Sequence, residues 1–232
     1  MINYIILFFI SSFIYSLSHN EKALFFSSFE SEIDNALKFI DNNQNIMDRI
    51  FFDYDVDVDL AVSIMFPELV RYNNLQDKIE ISINKLLYIN GGLEYSDLSI
   101  GLLQMKPSFI QRLSNTKILN KYDELFHYSD TLSNQEIRTI IIERLQSIEY
   151  QLKYLAYFIK VIDTYNKYVF IDYHDKIKYY STAYNSGSWY NQENNNNLSQ
   201  KKTYPYGPNN DEIKQYSYSD ISLYYYQNFL NK

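Results

Sequence analysis

Asp57-Val58-Asp59-Leu60-Ala61-Val62-Ser63-Ile64-Met65-Phe66-Pro67-Glu68-Leu69 opens with two acids, closes around a third, and is apolar between them. Asp57 and Asp59 suit the first turn of a helix, where unpaired backbone N–H groups and the helix dipole favour negative charge. Leu60, Ala61, Ile64 and Met65 then recur at helical spacing. Pro67 has no N–H to give, and its ring crowds the carbonyl four residues back, so a kink or break is expected there. Glu68 follows immediately, with the apolar run as a wall against its carboxyl group. The alternation of acidic and apolar residues begins earlier, at Asp53-Tyr54-Asp55-Val56, but lacks the Gly and distal Glu of an EF-hand calcium loop.

Outward from this stretch the periodicity is helical. Phe29 to Asn42 places Ile33, Leu37 and Ile40 at 3–4 spacing. Leu75 to Ile89 reads as a further helix with Leu75, Ile79, Ile83, Leu86 and Leu87 on one side. Gly91-Gly92 ends it, since glycine adopts a left-handed cap without steric cost. The chain to Ser99 is loop-like, and Pro107 suits the first turn of a helix from Pro107 to Leu113. Ser133-Asn134-Gln135-Glu136 is a capping box. It opens one long helical segment toward Tyr165, with an apolar face through Ile137, Ile140, Ile141, Leu145, Ile148, Leu152 and Leu155. Another helix, from about Asp175, ends at Ala183-Tyr184-Asn185 with Gly187 as its stop. Asn191 to Lys202 reads as a polar mobile loop, Tyr204-Pro205-Tyr206-Gly207-Pro208 as turn chemistry, and Ser219 to Leu230 as a terminal helix. There is no internal repeat. The expected fold class is mainly α, in one domain over residues 19–232, with at most a small β element.

Composition narrows the function classes. With 232 residues, 46% of them hydrophobic, the chain can bury a full core. A net charge of −7 argues against nucleic acid, which is held by clustered Lys and Arg. It does not argue against a glycan, which is held by hydrogen bonds and aromatic faces. The 25 tyrosines accompany abundant Asn, Ile and Lys, so they reflect compositional bias before they reflect sugar stacking. Met1 to Ser18 is an apolar run with Ser16 and Ser18 as small residues before a cut, and is expected to be a secretory signal peptide. If it is not cleaved, it is the chain's one contact with a membrane. With no cysteine there is no disulfide and no thiol nucleophile. His19, His127 and His174 are scattered, without the spacing of a zinc site, and neither a G-x-S-x-G elbow nor a phosphate loop occurs. No cofactor or metal is expected.

Chemistry concentrates in three separated segments: Phe66-Pro67-Glu68-Leu69, Ser99-Ile100-Gly101-Leu102-Leu103-Gln104-Met105-Lys106-Pro107 and Ala183-Tyr184-Asn185-Ser186-Gly187. They supply one acid, a Gly-bounded turn with an amide side chain, and a Tyr-Asn turn. A glycan-cleaving cleft that works with a single carboxyl group needs such a set. By position alone, Glu68 also reads as a solvated helix-end residue paired with Arg71 at i+3, and Gln104 as a cap for the Pro107 helix. Gly101 is explained if the backbone passes so close to a sugar ring that a Cβ would clash.

The ordered trio resembles the soluble lytic transglycosylase family of the lysozyme-like superfamily. In that family an apolar helix ends in the catalytic Glu, a second motif reads roughly G-L-x-Q-x-x-P, and a third reads A-Y-N-x-G. Gly101 to Pro107 matches the second and Ala183 to Gly187 the third. At the first, Leu69 stands where the family has Ser, Pro67 precedes the acid, and the gap from Glu68 to Gly101 is a long 33 residues (101 minus 68). The chain reads as a variant subgroup.

The resemblance implies a lysozyme-like, transglycosylase-type helical domain, periplasmic or secreted, that acts on peptidoglycan glycan strands. Glu68 would be the general acid and base that cleaves the MurNAc–GlcNAc β-1,4 bond to a 1,6-anhydro product. Gly101, Gln104, Tyr184 and Asn185 would bind substrate, with Asn185 the more structural of the last two. Goose-type lysozymes, which hydrolyse the same bond on the same fold, carry an Asp where Lys106 stands here, and Asp97 or Glu94 would be the alternative second carboxylate. A non-catalytic glycan-binding or assembly protein on the fold is the third alternative, favoured by Pro67 and Leu69.

Overall fold

The computed structural model describes residues 19–72, 77–116, 124–189, 191–205 and 216–231. Among them the helices in chain order are α1 (His19–Ser28), α2 (Glu30–Asp53), α3 (Val58–Arg71), α4 (Asp77–Gly91), α5 (Pro107–Ser114), α6 (Asn134–Gln146), α7 (Ile148–Tyr165), α8 (Tyr173–Ser186), α9 (Gln192–Ser199) and α10 (Tyr218–Tyr225). A π-helical turn, Tyr226–Leu230, continues α10. Strands β1 (Lys202–Tyr204) and β2 (Tyr216–Ser217) pair antiparallel as the small β element. The fold is mainly α. The expected signal peptide, Met1 to Ser18, lies outside the described residues, as do Tyr206, Gly207 and Pro208 of the expected turn. Among the described residues no helix is long and apolar enough to cross a membrane.

Helix α3 is the axis. Asp57, expected in its first turn, is the residue that caps it, its carboxylate accepting from the backbone N–H of Asp59 (3.0 Å) and Leu60 (3.3 Å). Every residue from Leu60 to Val70 is buried, because α2, α7, α8 and α10 pack around it. A helix without a wet face belongs in a core. The break expected at Pro67 does not occur, and the helix runs one more turn to Arg71. Two tyrosines brace the carbonyls beside the proline: the Tyr218 hydroxyl donates to the Ile64 carbonyl (3.1 Å) and the Tyr204 hydroxyl to that of Pro67 (2.9 Å). Tertiary packing outweighs the local penalty of about 3 kcal/mol for a proline inside a helix.

Other expectations are extended or corrected in the same terms. Helix α2 runs beyond Asn42, since Met47, Ile50 and Phe51 continue the buried stripe of Ile33, Ala36 and Ile40. Gly92 takes the left-handed conformation (φ 79°) just past α4, but Leu86 and Leu87 are exposed, so the apolar side expected for that helix is not covered there. Leu75 and the side chains of Ile79 and Ile83 lie outside the described residues. The capping box at Ser133 and Glu136 forms. The long segment it opens is two helices, broken at Ser147, whose backbone is extended. The break is held by the buried Gln151, whose amide donates to the Leu145 carbonyl (2.5 Å). Asn191 to Lys202 is no mobile loop: it contains α9, and Asn195 is buried there, donating to the carbonyls of Tyr179 (3.1 Å) and Ser188 (3.3 Å). Helix α8 ends on a left-handed Gly187 (φ 72°), as expected.

Candidate active site

The C-terminal end of α3, the turn before α5, α5 itself and the C-terminal end of α8 surround a cleft of about 460 Å³. Glu68, Gln104, Tyr184 and Asn185 all line it, together with Arg71, Asp97, Lys106 and Arg112. Four of the five residues singled out by sequence, from three segments more than 110 residues apart end to end (184 minus 68 is 116), share one wall-to-wall space.

Glu68 is 3% exposed. Its carboxylate accepts a hydrogen bond from Arg71 (Nη2 to Oε2, 2.5 Å), so the i+3 pairing is present, although the acid is buried and not solvated. Burial, which penalises the charged form, raises the pKa of Glu68 above the ordinary carboxyl range. Arg71 and the Tyr218 hydroxyl oppose that rise without cancelling it. The group therefore retains a proton more readily than in water, and has a cation beside it once the proton is gone. That combination fits an acid that later acts as a base. The surroundings are phenolic: burial together with the negative charge of Glu68 pushes the hydroxyls of Tyr184 and Tyr218 well above their usual pKa, so both stay neutral donors.

The second segment is a tight turn. Ile100 and Met105 exchange backbone hydrogen bonds (2.8 and 3.2 Å), enclosing Gly101 to Gln104. Gln151 from α7 pins it from behind, with its amide donating to the Ile100 carbonyl (2.9 Å) and its oxygen accepting from Leu103 N–H (3.0 Å). Gly101 has a left-handed backbone (φ 74°), and a Cβ there would lie 1.8 Å from the Gln151 Nε2. The close neighbours that demand glycine are thus the Gln151 side chain and the Leu145 carbonyl, 2.4 Å from that Cβ, in place of the sugar ring expected from the sequence. Gly101 does not line the cleft. Gln104 does, from a backbone with positive φ (48°), and its amide donates to the Gly101 carbonyl (2.9 Å). It braces its own turn and does not cap the Pro107 helix. That cap comes from Asp97, which accepts from Ser108 N–H (2.9 Å) and hydroxyl (2.6 Å).

In the third segment the two residues stand differently. Tyr184 is half-buried and donates to the Leu103 carbonyl (2.6 Å), tying α8 to the turn, whereas Asn185 is exposed at the mouth of the cleft. Sequence reasoning missed Gln151, Tyr204, Tyr218 and Arg112. Gln151 alone left a trace, as a polar residue interrupting the apolar face between Ile148 and Leu155. The tyrosines were hidden among 25, and Arg112 had no motif around it. No protein-family model, curated protein or solved structure matches the chain.

Proposed function

We propose that this protein is a peptidoglycan lytic transglycosylase with a lysozyme-like domain, working in the periplasm or outside the cell on the MurNAc–GlcNAc β-1,4 bond. One observation carries the reading: a single buried carboxyl of raised pKa shares a cleft with the amide and Tyr-Asn residues of two other segments. In the mechanism Glu68 protonates the departing glycosidic oxygen while the substrate's own N-acetyl group assists at C1. The resulting carboxylate, held by Arg71, then takes the proton of the C6 hydroxyl as that oxygen closes on C1. The hydroxyl is tethered, and well-oriented intramolecular groups reach effective concentrations of about 10⁵ M or more.

Hydrolysis is the second reading, and Asp97 is the observation in its favour because it lines the same cleft. Both Asp97 oxygens already accept from Ser108, and Glu94 is exposed and outside the lining, so neither is placed as well to activate water as the internal hydroxyl is to attack. Mass spectrometry of fragments released from purified murein separates the readings. Anhydromuramoyl ends support the lyase, reducing muramic ends support the hydrolase, and absence of cleavage leaves a glycan-binding or assembly protein.

A further inference from the structure

The lining of the cleft is out of keeping with the chain's charge. The protein carries −7 overall, yet among the described residues the cleft is lined by Arg71, Lys106 and Arg112 against Glu68 and Asp97. Both acids are occupied within the fold, Glu68 by Arg71 and Asp97 by the N-terminus of α5. Three cationic side chains thus stand against two carboxylates in this lining, one positive charge in excess within a chain of net −7. Lys106 is exposed at the start of α5. Arg112, from the last turn of the same helix, lays its guanidinium over the Trp189 ring, 3.9 Å from the centroid, and donates to the Gly187 carbonyl. Gly187 leaves room for this: a Cβ there would sit 3.3 Å from the Arg112 Nη1. A guanidinium stacked on a ring and held by a backbone carbonyl has its plane fixed in advance. That lowers the entropic cost of forming the forked hydrogen bonds by which arginine recognises carboxylates.

Resting on the glycan reading above, we propose that the Arg112–Lys106 side of the cleft is a subsite for a carboxylate of the substrate. Two groups near the scissile sugar offer that chemistry: the lactyl carboxylate of a peptide-free muramic acid, and the carboxylates of a peptide stem. The subsite makes the cleft selective for muramoyl glycans over neutral amino-sugar polymers.

Equilibrium binding tests this with full-length protein in which Glu68→Gln slows turnover. The probes are peptide-free murein oligomers and peptide-bearing oligomers, each as the acid and with its carboxylates converted to amides. The acid form should bind more tightly than its amide in at least one pair, and that pair names the source. The gap should narrow as salt screens the charges. Adding Arg112→Gln should lower affinity for the acid form by roughly tenfold or more, as expected for a lost hydrogen bond to a charged group, and shift the amide form far less. Lys106→Gln, at an exposed position, reads the same preference if Arg112→Gln does not fold. Equal affinity for acid and amide in both pairs, with glycan binding retained, overturns the subsite and leaves the glycan reading standing. Failure to bind any of the oligomers overturns both.

Discussion

The two facing walls of the cleft are rigid for different reasons. The Glu68 wall is a helix buried on every side, held by apolar packing and by tyrosines donating to its carbonyls. The opposite wall is an irregular six-residue turn from Ile100 to Met105, whose shape depends on one buried amide, Gln151, bonded to the Ile100 carbonyl and to Leu103 N–H. Burial of the first wall sets the acid's proton affinity. Hydrogen bonding in the second sets where Gln104 and, through Leu103, Tyr184 stand. A cleft can thus be as well ordered by one side chain behind a loop as by a whole helix in the core.

The largest way to break this pairing is at the acid. Glu68→Gln keeps the shape of the first wall and removes its proton, and the rate of murein cleavage should fall by about 10²–10⁴-fold with the circular dichroism spectrum unchanged. Activity within a few-fold of the native protein would take Glu68 out of the mechanism. Next in size is the second wall. Gly101→Ala drives a Cβ to 1.8 Å from the Gln151 amide and 2.4 Å from the Leu145 carbonyl, at a positive φ. It should cost about 3 kcal/mol in denaturant unfolding, by strain and loss of buried hydrogen bonds. Gln151→Ala removes one of the colliding partners, so the double variant should cost less than the sum of the singles. Strict additivity would mean that Gly101 and Gln151 do not meet.

The smallest effect sharpens the comparison by pH. The folded Glu68 has its pKa raised above 4.5, so the native state binds this proton more tightly than the unfolded chain does. The stability that this contributes is fully present below pH 4.5 and is lost as pH rises through the folded pKa. Thermal melts of the native protein and Glu68→Gln should therefore diverge above pH 4.5, with the native protein losing ground. Parallel pH profiles would show that Glu68 ionises as freely as it does in water.

How much of this could be read from the sequence follows the same division. The first wall was legible because acidic first turns and apolar spacing are local: Leu60 to Met65 and Glu68 lie within one helix, with Asp57 just before it. Pro67 misled because the hydroxyls that brace its turn come from Tyr204 and Tyr218, beyond any local rule. In the second wall the turn and its glycine were visible, but the reason for the glycine was not, since Gln151 approaches from α7. The break at Ser147 and the buried Asn195 were missed for the same reason: a polar side chain bonded to distant backbone looks, in sequence, like a polar side chain facing water.

The hydrogen bonds from Tyr204 to Pro67 and from Tyr218 to Ile64 span 137 and 154 residues. Contacts so distant along the chain must close a long loop before they are rewarded, so they should form late in folding. Until they form, the burial that raises the Glu68 pKa would be incomplete. The chain therefore acquires its shape before its chemistry: in refolding, murein cleavage should return after helical circular dichroism does. Simultaneous recovery would show that the tyrosines dock with the first helices.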